Sequence, residues 1–220
     1  MGAMMEFSRP DGGKTKGYLA KAGDGRPGVV VIQEWWGLND QICGIADRLA
    51  RAGFNALAPD LYEGRVTGEA DEANHLMEGL DFPGATHQDV RGATRHLKKI
   101  GGKVAVSGYC MGGALTVAAA VHVPEADAGV CYYGIPPAAF ADPKDNKVPF
   151  QGHFADHDDW ITADMVKALE AGLKKSGVDH EIHRYDAHHA FFNERSEAAY
   201  DTACANLSWQ RMMTFLKTHL

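Results

Sequence analysis

The stretch Val104-Ala105-Val106-Ser107-Gly108-Tyr109-Cys110-Met111-Gly112-Gly113-Ala114-Leu115 decides how this chain is read. An apolar β-branched run enters a Gly-x-Cys-x-Gly turn and leaves directly into an alanine-rich segment. Strand, sharp turn and helix in immediate succession are the context that displays a nucleophile on a strained bend. A helix packed close behind such a bend needs neighbours with almost no side chain, which Gly108, Gly112 and Gly113 provide. Cys110 then stands at a helix N-terminus, where unpaired N–H groups and the helix dipole favour negative charge, on a thiolate or on an oxyanion. The competing reading is a glycine-rich turn around a buried structural cysteine.

Strand and helix signals alternate outward from this turn. Gly28 to Gln33 is a β-branched run. A helix follows from about Asn39 to Ala52, with Ile42, Ile45 and Leu49 at helical spacing and Gly53 beyond its end. Phe54 to Ala58 reads as a strand closed by Pro59, a glycine- and acid-rich stretch covers Tyr62 to Pro83, and a helix spans about Thr86 to Ile100. Ala128 to Tyr133, Val148 to Phe154 and His180 to Tyr185 read as further strands. Helices are expected from about Thr162 to Ser176 and from Ser196 to Leu220. Near-continuous apolar strands alternating with helices imply an α/β fold, a mostly parallel central sheet with helices on both faces.

The chain has 220 residues and is 45% hydrophobic, enough for one substantial core, so residues 1–220 are expected to form a single domain. A formal charge of −7 without a Lys/Arg stripe argues against nucleic acid or an anionic membrane as partner. No apolar stretch is long enough to span a bilayer, and Met1 to Glu6 has no signal-peptide pattern, so the expected compartment is the cytoplasm. Cys43, Cys110, Cys131 and Cys204 are scattered, with no CxxC and no zinc spacing. Cys43, Cys131 and Cys204 are expected to be small hydrophobes within helices and a strand. His153, His157, His188 and His189 lack a metal-ligand spacing, so neither metal nor cofactor is expected.

Active sites of such sheets collect at the carboxyl ends of strands. Two loops stand out there, Ala155-Asp156-His157-Asp158-Asp159-Trp160-Ile161-Thr162 and Asp186-Ala187-His188-His189-Ala190-Phe191-Phe192. The chain order nucleophile, acid, base is that of the α/β-hydrolase fold.

At this point the sequence resembles the dienelactone hydrolase family, the cysteine-nucleophile branch of the α/β-hydrolases. The resemblance runs through Val30-Val31-Ile32-Gln33-Glu34-Trp35-Trp36-Gly37-Leu38-Asn39, Ala58-Pro59-Asp60-Leu61-Tyr62, Gly108 to Gly113, Tyr132-Tyr133-Gly134 and Tyr185 to Phe191. It implies Cys110 as nucleophile, His189 as base and Asp158 as the acid that orients it. His189 rather than His188 fits the family because one small residue and then Phe191 follow it. Asp158 rather than Asp156 or Asp159 fits because Ile161 follows three residues later. The backbone N–H groups of Met111 and Trp35 are expected to form the oxyanion hole.

The resemblance further implies that Glu34 faces the thiol and keeps it neutral until substrate arrives, against the plainer reading of a loop-capping glutamate. A thiol of pKa about 8.5 is expected to be lowered by His189 and the helix N-terminus. The two arginines that clamp a substrate carboxylate in dienelactone-cleaving members correspond here to Ala70 and Asn193, with Arg65 and Arg195 as the available replacements. Trp36, Tyr133, Trp160 and Phe191 are expected to line a pocket for a small ester, enol ester or lactone, or to be core. A general carboxylesterase or thioesterase and a non-catalytic ligand-binding relative are the competing functions, and a monomer or weak homo-oligomer is the expected assembly.

Overall fold

The runs of valine, isoleucine and alanine between glycines and prolines form the middle of one sheet in the computed structural model, which describes residues 1–220. Strands β3 (Gly28–Ile32), β4 (Asn55–Pro59), β5 (Val104–Tyr109) and β6 (Ala128–Tyr132) are buried along their whole length. That explains why they read as continuous apolar runs without alternation. β7 (Phe150–His157) and β8 (His180–His188) extend the parallel part, while β1 (Ala3–Ser8) and β2 (Lys14–Ala20) add an antiparallel hairpin at the other edge. The eight strands lie in the order β1-β2-β4-β3-β5-β6-β7-β8.

Side chains leave the strands alternately to two cores. Val29 and Val31 of β3 meet Ile42 and Leu49 of α1 (Asp40–Arg51) and Met212 and Phe215 of α7 (Thr202–His219) on one face. Val30 and Ile32 pack on the opposite face with Leu76 of α2 (Ala70–Glu78), Leu97 of α4 (Arg91–Gly101) and Leu115 of α5 (Met111–His122). On that same face α6 (Ala163–Ser176) covers β7 through Val166, Leu169 and Leu173. α5 is buried on nearly every side, as its uniformly small apolar composition requires.

The structure differs from the sequence reading at the periphery. The hairpin of β1 and β2 was not expected, because β1 is largely exposed, β2 only partly buried, and both carry charged residues among their apolar ones. The glycine- and acid-rich stretch contains α2, which buries only Ala73 and Leu76 and so gives a weak periodic signal. The helix expected from Thr86 begins as a short turn, α3 (Phe82–Gly84), continues as a π-helix (Ala85–Val90) and becomes α-helical at Arg91. The last helix starts at Thr202, not Ser196, where the Asp201 carboxylate accepts from the Cys204 N–H. β7 and β8 both run further than expected, to His157 and His188.

Gly113 shows how tightly α5 is seated. A Cβ there would strike the Tyr132 carbonyl oxygen and the Gly134 backbone, neither of which can rotate away. Gly113→Ala is therefore expected to destabilise the fold by about 1–3 kcal/mol, read as a lower urea midpoint with an unchanged slope.

Candidate active site

β5 ends at Tyr109, and the next residue turns the chain through a left-handed conformation, with Cys110 at φ 54° and ψ −116°. A non-glycine residue held there is strained, and two hydrogen bonds hold it. Its N–H donates to the Tyr132 carbonyl at 3.0 Å, and its own carbonyl accepts from the Ala114 N–H at 3.1 Å. The sulphur is thereby set at the carboxyl edge of the sheet, at the start of α5.

Two loops bring the partners. The Asp158 side chain is 1% exposed, and its Oδ1 accepts the N–H groups of Trp160 and Ile161, each at 2.9 Å. Its Oδ2 lies 2.7 Å from His189 Nδ1, and His189 Nε2 lies 3.3 Å from Cys110 Sγ. A neutral imidazole in this arrangement donates from Nδ1 to the carboxylate and accepts the S–H proton at Nε2. Burial pushes the Asp158 carboxyl up, but the His189 contact and the two N–H groups outweigh it and leave it below its ordinary value. The neighbouring alternatives lie elsewhere: His188 is exposed beside His157, Asp156 pairs with Arg184, and Asp159 is exposed.

The thiol departs from expectation. Instead of being lowered, its pKa is pushed well up, first by burial and then by the charge of Glu34, so the resting group is a protonated thiol. The backbone N–H groups of Met111 and Trp35 act in the opposite sense, favouring negative charge at the sulphur. Both expected oxyanion-hole donors thus lie at the sulphur.

Glu34, expected to face the thiol and keep it neutral, bears on Cys110 through its charge, which opposes ionisation of the sulphur. It is buried just beyond β3, and both oxygens are taken by neutral donors: Tyr133 Oη donates to Oε1 at 3.1 Å, and Asn193 Nδ2 donates to Oε2 at 2.5 Å. Burial raises its pKa to about 7, against the opposing effect of Tyr133, His189 and Asn193. Asn193 had been noted only as a missing arginine. Its spacing of four residues from His189 was the signal available in the sequence, and its pairing with Glu34 was not legible there.

The expected pocket residues divide. Trp160 is 53% exposed and leans over His189, with ring centroids 5.2 Å apart, while Trp35 meets it edge-on at 5.1 Å. Trp36, Asn39, Thr67, Asn193, Arg195 and Ser196 border a cavity of about 220 Å³. Tyr133 is fully buried, its ring 5.1 Å from His189. Phe191 is a correction: it is fully buried in the core against Tyr185 and Tyr133, and forms no part of a ligand surface. Of the two replacement arginines, Arg195 borders the cavity and is paired with Asp40 at 3.1 Å, whereas Arg65 lines a separate one with Arg9 and Asp89. Ala70 opens α2 and is exposed. No helix is long and apolar enough to cross a membrane.

A mostly parallel eight-stranded sheet, helices on both faces and a strand-turn-helix elbow define an α/β-hydrolase fold. The model of the dienelactone hydrolase family matches residues 15–220, and the chain belongs to that family. It is similar to protein usf of Aquifex pyrophilus, 36% identical with all of both chains covered. It is 33% identical, again over all of both chains, to a protein of Aquifex aeolicus assigned as a carboxymethylenebutenolidase. Among solved structures it resembles an assigned dienelactone hydrolase of Klebsiella pneumoniae, with a TM-score of 0.83 and 25% identity over 97% of this chain and 98% of that one. The chain is a carboxylic ester hydrolase acting on small molecules.

The Glu34 pKa makes a stability prediction. An acid whose folded pKa lies above its unfolded value of 4.5 loses stability as pH rises from 4.5 to about 7, because the unfolded chain ionises first. Glu34→Gln removes that loss. Its melting temperature is expected to exceed wild type at pH 8, by an amount equivalent to up to about 3 kcal/mol, and to converge with it toward pH 4.5.

Proposed function

We propose that the chain hydrolyses a small neutral ester, enol ester or lactone through a Cys110–His189–Asp158 triad and a thioester acyl-enzyme. The observation that carries this reading is the continuous relay from Asp158 Oδ2 to His189 Nδ1 at 2.7 Å and from His189 Nε2 to Cys110 Sγ at 3.3 Å. As the sulphur attacks the carbonyl carbon, its proton passes to His189 Nε2, and the imidazolium that forms is held by Asp158. The carbonyl π electrons move to oxygen, where the Met111 and Trp35 N–H groups face the developing charge. Collapse of the tetrahedral intermediate expels the alkoxide, which takes the proton from His189. Water then attacks the thioester, giving a proton to His189 that returns to the departing sulphur. The carboxylic acid leaves and the thiol is restored.

A thiol that is neutral at rest fits this cycle, since proton transfer accompanies attack and no standing thiolate is needed. A neutral substrate is supported by the surroundings of Glu34, where Asn193 supplies an uncharged amide where a cation would receive a carboxylate. Arg195, the cation bordering the cavity, has a side chain 55% exposed and bound to Asp40, which weakens its hold on an anion. The second reading, cleavage of an anionic lactone of the carboxymethylenebutenolidase type, rests on the assignments of the relatives and on Arg195.

Turnover of p-nitrophenyl acetate is expected to fall by about 10³-fold or more in Cys110→Ala, and intact mass spectrometry of briefly exposed wild type should show an acetyl adduct on Cys110. Equal turnover by the two proteins would remove the cysteine mechanism. A preference for anionic enol lactones over neutral esters that vanishes in Arg195→Ala would favour the second reading.

A further inference from the structure

Gly44, Ile45, Arg48 and Arg51 follow one another at helical spacing along α1 and so share one face. That face borders a cavity of about 370 Å³, which Phe192 and Arg195, from the segment after β8, also line. Its size falls in the range of small-molecule sites. None of Cys110, His189 and Asp158 borders it. Arg195 also borders the cavity beside Trp36 and Asn193, so the two spaces adjoin at one side chain.

The cavity is cationic where the chain as a whole is not. Arg48 is partly buried, and its guanidinium lies 3.9 Å over the Trp209 ring. Stacking occupies the face of a guanidinium and leaves its N–H edge free to hold an anion. Neither Arg48 nor Arg51 is paired with a carboxylate: of the two acids on the wall, Asp40 is held by Arg195 at 3.1 Å and Glu194 is exposed. Like charges three residues apart on a helix repel, so the pair is unfavourable until an anion joins it. Gly44 is the second peculiarity. Glycine inside a helix lowers its stability, yet a Cβ at this position would meet nothing within 4 Å, so packing within the protein does not demand it. What the missing side chain leaves is open space in the cavity. Ile45 and Phe192, both buried, give that space an apolar floor.

We propose that this cavity binds a small organic carboxylate, its anionic end held by Arg48 and Arg51 and its apolar body lying over Gly44 against Ile45 and Phe192. A carboxylate matches the guanidinium fork with two parallel hydrogen bonds. Bare phosphate would meet the arginines and leave the apolar floor uncovered, and an uncharged ester would leave the arginines unanswered. An ester hydrolase releases a carboxylate at each turnover, so the ligand belongs to the class of its product. The inference goes beyond the triad reading and does not depend on it.

The test is calorimetric titration with benzoate, with benzamide as its uncharged counterpart and inorganic phosphate as an anion without an apolar body. Wild type and Cys110→Ala should both bind benzoate with a Kd on the order of 1 mM, and benzamide and phosphate at least about tenfold more weakly. Arg51→Met, at an exposed position, should weaken benzoate binding about tenfold, the loss of one charge-assisted contact. Arg48→Lys, which keeps the charge and loses the fork, should weaken it less than Arg48→Met. Gly44→Leu fills the space: it should preserve or raise the melting temperature, leave turnover of p-nitrophenyl acetate at the wild-type rate and cut benzoate binding by about tenfold or more. Gly44→Glu sets a carboxylate one turn from Arg48 and should block benzoate in the same way.

Benzoate binding that is unchanged in Gly44→Leu and Arg51→Met overturns the proposal. So does benzamide or phosphate binding as tightly as benzoate, which would leave an apolar slot or a bare cationic patch. Binding lost in Trp160→Ala and retained in Gly44→Leu would put the carboxylate at the catalytic centre and overturns it as well. Ester turnover retained by Cys110→Ala would sink the hydrolytic reading instead, while leaving the titrations to judge the cavity.

Discussion

The left-handed backbone at Cys110 is the constraint on which the rest of this structure depends. It costs on the order of 1–3 kcal/mol, and such a cost persists only where the surroundings leave no alternative. Here they are backbone to backbone. Gly108 and Gly112 lie in contact across the turn, Gly112 rests on the carbonyls of Ile32 and Gln33, and Gly113 rests on that of Tyr132. Three adjacent parallel strands, β3, β5 and β6, thus meet one helix terminus, and each contributes a functional group where it ends: Glu34 and Trp35, Cys110 and Met111, and Tyr133. β7 and β8 follow in the same direction and bring Asp158 and His189 to the same edge.

This convergence puts two acidic groups, a thiol and a carboxyl, side by side in buried surroundings, Cys110 8% and Glu34 1% exposed. Either charge alone costs burial energy there, and both together cost more. The structure answers by leaving the sulphur protonated and by giving Glu34 two neutral donors, while the single well-supported charge is Asp158, with two N–H groups and an imidazole. The imidazole lies between that carboxylate, 2.7 Å from its Nδ1, and the thiol, 3.3 Å from its Nε2.

What the residues disclosed in advance follows the same physics. The central strands were legible because burial on both faces demands unbroken apolar runs, as at Val104 to Val106, and the elbow because strain demands glycine at Gly108 and Gly112. The hairpin of Ala3–Ser8 and Lys14–Ala20 and the helix Ala70–Glu78 escaped because exposed elements carry little periodicity. Cys110 and the two loops of the candidate triad were legible through chain order, and the choice of Asp158 and His189 within those loops came from the resemblance to the family. The state of the thiol was not, since it depends on the depth of burial and on Glu34, which is 76 positions away in sequence and becomes a neighbour only after folding. Phe191 misled for a related reason, because an aromatic beside a catalytic-type histidine reads alike whether it lines a cavity or fills the core.

A sulphur kept protonated at rest has a consequence for durability. Peroxides react with thiolates far more readily than with thiols, and the path to sulfinic and sulfonic acids begins with that first encounter. Burial at the elbow and the neighbouring charge of Glu34, by keeping Cys110 as a thiol, make it slow to enter that path, a resistance that a standing thiolate would forgo.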